Sequence, residues 1–71
     1  MSATDGFDTE VDYITINPAV KAGHYNVVIM KYSHIDGGEF TVFRCSEQLR
    51  QPAAEALAKS WQAATKLEIL P

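Results

Sequence analysis

The chain has 71 residues, a mass of 7.8 kDa, 46% hydrophobic residues and a formal net charge of −3. That is enough apolar content to fold as one domain over residues 1–71, although folding at this size hides only about 60% of the unfolded surface. These quantities weigh against a disordered acidic tail, a multidomain regulator, a spanning membrane protein and a stand-alone enzyme, whose walled cleft needs more chain.

The charge is unevenly placed. Residues 1–16 hold Asp5, Asp8, Glu10 and Asp12 with no Lys or Arg, whereas residues 17–71 hold five acids and six bases. The acidic segment 1–10 reads either as a solvated terminus or as a steering element for a basic partner. A duplex-binding module carries a basic footprint, because phosphate neutralisation supplies most of its affinity, so direct nucleic-acid binding is not expected. Residues 1–12 show neither a basic stretch nor an apolar one of the secretory kind, and the longest apolar run is Val27-Val28-Ile29-Met30. The expectation is a cytoplasmic protein with no membrane partner. The single cysteine, Cys45, suits a reducing compartment.

In chain order, Val11-Asp12-Tyr13-Ile14-Thr15-Ile16 is rich in β-branched and aromatic residues and stops at Asn17-Pro18, which predicts a first strand. The stretch 17–24 is too short for a full helix and reads as a loop. Tyr25 to Tyr32 and Glu39 to Cys45 are the strongest strand signals, and Asp36-Gly37-Gly38 between them predicts a hairpin. Centring a two-residue turn on Asp36-Gly37 pairs Tyr32 with Thr41, Met30 with Phe43 and Val28 with Cys45. One face then carries Val28, Met30, Tyr32, Thr41, Phe43 and Cys45, the expected core side. The other carries Val27, Ile29, Lys31, Phe40, Val42 and Arg44. A three-residue turn would slide the pairing by one and regroup both sets.

Ser46 offers a helix N-cap with Glu47 in the first turn, and Pro52 suits a first helical position. Leu49, Ala53, Leu57, Trp61 and Ala64 recur at three or four residues as an apolar stripe. Trp61 is expected to fill the core between sheet and helix. The tail Leu67-Glu68-Ile69-Leu70 alternates as a short last strand would. The expected fold is α+β, a small, mainly antiparallel sheet of three to four strands packed by one C-terminal helix in the order β-β-β-α-β.

Chemistry is sparse. His24, His34 and Cys45 lack metal-ligand spacing, and Ser33, His34 and Asp36 share a turn without the buried orienting shell of a triad. Gly37-Gly38 leads into a strand, whereas a phosphate-cradling loop opens a helix. No catalytic, metal or cofactor residue is expected. Aromatic stacking of bases on the sheet is outweighed by core packing.

One helix covers one sheet face, so the other face is left for a partner. The candidate partner-binding residues are Asp5, Asp8, Glu10 and Asp12 for steering and Ile29, Lys31, Val42 and Arg44 for contact. The general form, a short acidic chain with a hairpin and a helix, is similar to small accessory proteins of phages and mobile elements, including anti-CRISPR inhibitors. That likeness of size and style implies an inhibitor that occupies a surface of a nucleic-acid-handling complex. The second reading is a homodimer, an assembly protein that buries its open sheet face against a second copy.

Overall fold

The computed structural model describes residues 7–33 and 37–70. Its fold is α+β: a mixed five-stranded sheet with one C-terminal helix. The elements are β1 (Tyr13–Pro18), β2 (His24–Ser33), β3 (Glu39–Cys45), β4 (Leu49–Arg50), α1 (Gln51–Thr65) and β5 (Glu68–Leu70). Strand order is β3-β2-β1-β5, and β4 also pairs with β2, at the end of that strand that β3 leaves unpaired. Neighbours are antiparallel except β1 and β5, which run parallel because the chain returns through α1 before laying down its last strand.

The register organises the two faces. Ile69, Ile14, Ile29 and Arg44 form one row across β5, β1, β2 and β3, and Ile16 lies opposite Val27. Successive strand residues alternate faces, so these rows point to one side. There Ile14, Val27, Ile29 and Leu67 pack with Ala54 and Ala58 of α1 in the core cluster. The small helix residues let the helix axis approach the sheet, so bulk is supplied by the strands.

This inverts the expected faces of β2, while Phe40 and Val42 of β3 face outward as expected. Val27 and Ile29 are 0% and 2% exposed and form the core, so Ile29 is unavailable to a partner. Val28, Met30 and Tyr32 point away from the helix, with Cys45, Val42 and Phe40 opposite them. The pairing with β3 also shifts, at a β-bulge facing the Ile29/Met30 step, where Phe43 is the extra residue. Val28 opposes Cys45 as expected, but beyond the bulge Met30 meets Val42 and Tyr32 meets Phe40, one residue off the expected pairing. The hairpin connection is therefore longer than two residues. Gly37 and Gly38 within it take φ of 87° and 85°, the left-handed region that favours glycine.

The helix starts around Pro52, as that residue predicts, and not at a Ser46 cap. It begins at Gln51 with Pro52 in the first turn, and Arg50 occupies the cap position in extended conformation with no side-chain cap. Ser46 is instead tied to β2: its hydroxyl accepts the Val27 N–H at 2.8 Å and its carbonyl accepts Asn26 Nδ2 at 2.8 Å. These bonds hold the chain against β2 between β3 and β4. The buried helical residues are Ala54, Ala58 and Thr65, one step from the expected stripe, with Leu57 and Trp61 half-buried beside them. Lys66 closes the helix at φ 66°, its N–H donating to the Gln62 carbonyl.

Candidate protein-binding surface

Packing on one side only leaves the far face of the sheet open. Its rows are Leu70, Thr15, Val28 and Cys45; Glu68, Tyr13, Met30 and Val42; and Tyr32 with Phe40. Thr15 and Val28, opposite each other on the central strands, are buried. Toward β3 the face is exposed and apolar: Phe40 is 43% exposed and Val42 59%. The Phe40 ring meets Tyr13 edge-on at 5.5 Å and Tyr32 at 5.1 Å, so three rings from three strands form one aromatic platform. Gly38 supports it. A Cβ there would lie 2.7 Å from Tyr32 Cζ, so only glycine leaves room for the phenol.

Of the expected contact residues, only Val42 belongs to this face. Arg44 lies on the helix side, with its guanidinium 5.0 Å from the centre of the Trp61 ring. Lys31 is half-buried on the same side, 3.5 Å from Asp12 Oδ2 and 5.1 Å above the Phe7 ring. The structure therefore does not bring Ile29, Lys31, Val42 and Arg44 together on one outer surface. Phe40, Tyr13, Tyr32 and Met30 take that place. Sequence reasoning places Phe40 outward correctly; it misses Met30 and Tyr32 because β2 is apolar on both sides and its Val27 and Ile29 side meets the helix.

The acidic residues divide in the same way. Asp12 is buried, 3% exposed, and is structural. Its Oδ1 accepts the Tyr32 N–H at 2.8 Å, its Oδ2 accepts the Asp8 N–H at 2.8 Å, and Lys31 supplies the counter-charge. Burial opposes its ionisation, but those N–H donors and the Lys31 ammonium outweigh it and hold the carboxyl below its ordinary range. Asp8 opens the turn before β1, where its carboxylate accepts the Glu10 N–H at 2.9 Å, and both side chains are exposed. Asp5 lies outside the described residues.

Topology gathers the remaining charge. β1, β3 and β5 all begin at one end of the sheet, which places the turn with Asp8 and Glu10, Glu39 and Glu68 at that end. Lys21 and Arg50 flank the opposite end, beside His24. That end of the sheet thus carries Glu68 on the open face beside Tyr13 and Glu39 on the helix side, with Lys66 just before Glu68.

A groove of about 500 Å³ opens between α1 and the segment that follows β3, lined by Arg44, Cys45, Ser46, Glu47, Leu49, Ala53, Leu57 and Trp61. Cys45 is exposed, contrary to the buried thiol expected of it. Trp61 is half-buried between core and groove, so it fills the core only in part. Among the described residues no three His, Cys, Asp or Glu side chains gather as metal ligands do, and no helix is long and apolar enough to cross a membrane. His34 and Asp36 lie outside the described residues. No protein-family model matches the chain, and no significant match is found among curated proteins or solved structures.

Proposed function

We propose that this chain is a non-enzymatic protein-binding module whose contact surface is the open sheet face. The observation that supports this best is the exposed platform of Phe40 and Val42 beside Tyr13 and Tyr32, an apolar surface that the chain's one helix does not reach. Tyr and Phe in rigid strands provide large contact area at small entropic cost, as interface anchors do. The acids at one end of the sheet, Glu68 on the open face with Asp8, Glu10 and Glu39 beside it, suit a partner with a basic surface and add salt-sensitive steering. A partner of that kind is a nucleic-acid-handling complex, which the module would inhibit by covering its basic groove, in the manner of small phage and mobile-element inhibitors acting in the cytoplasm.

The test is affinity capture with wild type, Tyr13→Arg and the pair Asp8→Asn/Glu10→Gln. Wild type is expected to retain a partner that Tyr13→Arg loses at every salt concentration, while the acid-to-amide pair weakens capture at low salt only. A partner held equally by all three would contradict the reading.

A further inference from the structure

We propose that β3 pairs antiparallel with β3 of a second copy about a two-fold axis through Thr41, joining two sheets edge to edge. This goes beyond the docking reading, because edge pairing leaves the open face free along one side of the joined sheet.

β3 is the edge of the sheet, hydrogen-bonded to β2 alone, and every residue from Glu39 to Cys45 is exposed. Among the described residues the exposed large hydrophobics are Val20, Phe40, Val42 and Phe43, so three of the four sit on this edge. Edge strands are ordinarily blunted by Pro, by Lys or by brevity, and this seven-residue strand has neither Pro nor Lys. Its bulge falls near one end and leaves Glu39 to Val42 in regular pairing with β2.

The strand is complementary to itself in one register. An axis at Thr41 sets Thr41 opposite Thr41 of the second copy, Phe40 opposite its Val42 and Glu39 opposite its Phe43. Directly opposed antiparallel residues share a face, and each of these pairs does. Phe40 and Val42 both lie on the open face, whereas Glu39 and Thr41 lie on the helix side. Phe43 also turns to that side, where its ring meets Phe7 at 5.0 Å. Thr–Thr and aromatic–β-branched pairs are among the favourable cross-strand pairs. Arg44 of the second copy then falls diagonally beside Glu39, and the two-fold repeats this opposite-charge contact at the other end. Moving the axis to Val42 would set Phe40 against Arg44 across opposite faces.

The test uses Thr41→Cys in a Cys45→Ser background under mild oxidation, with Lys59→Cys on the exposed side of α1 as the control. Opposed Cα atoms about 4.5–5.5 Å apart fall within disulfide reach. A linked dimer is expected from Thr41→Cys and none from the control. Light scattering over a dilution series reads the charge contacts. Glu39→Arg and Arg44→Glu are each expected to raise the dimer dissociation constant roughly tenfold, and combining them in one chain is expected to restore it. A monomer at every concentration with no Thr41→Cys dimer, in a chain with native circular dichroism, would overturn the proposal, as would a disulfide from position 41 to a different protein only. Tyr13→Arg, on the open face two strands from the edge, is expected to leave the dimer intact while abolishing partner capture, so the two readings fail separately.

Discussion

The carboxylate of Asp12 accepts the Tyr32 N–H at 2.8 Å, joining the turn before β1 to the far end of β2 across 20 residues. Asp12→Ala removes this acceptor together with that of the Asp8 N–H and breaks the ion pair with Lys31. A loss of about 2–4 kcal/mol in urea unfolding is expected.

The same contact gives a pH dependence with a definite sign. The folded carboxyl sits below its ordinary value of 3.8, so its ionised form is favoured by folding. That stability is present above pH 3.8 and is lost as the pH falls through this value toward the folded one. The stability difference between wild type and Asp12→Asn is therefore expected to be full at pH 7 and to shrink below about pH 4, read by denaturant titration at each pH.

Substitutions at Ile29 and Val42 separate the two faces. Ile29 is packed against Ile14, Ala54 and Ala58, and Ile29→Glu buries a charge with no partner, so circular dichroism is expected to report an unfolded chain. Ile29→Ala is expected to cost about 2–5 kcal/mol. Val42→Glu changes an exposed side chain and is expected to leave the melting curve within a few degrees of wild type.

The same structure explains what could be read from the sequence. The β-branched runs of β1 and β2, the paired glycines of the hairpin, Pro52 at the helix start and the alternating tail each state a local preference, and all were legible. The choice of face was not. Val27 to Met30 is apolar on both sides, so alternation alone could not say which pair met the helix, and one bulge residue at Phe43 exchanged the sides of Arg44 and Cys45. Asp12 counts in composition as one terminal acid among four. Its burial depends on Tyr32 and Lys31 being delivered beside it by the β1–β2 register, which no local pattern encodes. The one available signal was the Asp8-Asp12 spacing across a turn. Arg44 and Trp61 likewise meet only because the bulge turns Arg44 at the end of β3 to the helix side.

That contact has a spectroscopic signature. The Arg44 guanidinium covers one side of the half-buried Trp61 ring, and Arg44→Ala uncovers it. Trp61 is the only tryptophan, so a red-shifted and more readily quenched emission is expected, with a stability loss of about 0.5–1 kcal/mol.

Gly38 tests the support of the aromatic platform. Gly38→Ala places a side chain at a left-handed φ and against the Tyr32 phenol. Destabilisation of about 1–3 kcal/mol is expected in thermal unfolding, and Tyr32→Ala in the same chain is expected to recover part of it by removing the collision.

Site-specific photo-crosslinking tests most directly whether the open sheet face is the contact surface. A photoreactive phenylalanine analogue at Phe40 is compared with the same group at Ala63, on the exposed side of α1. The expected result is a covalent adduct with a different protein from position 40 and none from position 63. An adduct from position 63 with none from position 40 would place the contact on the helix and contradict the account.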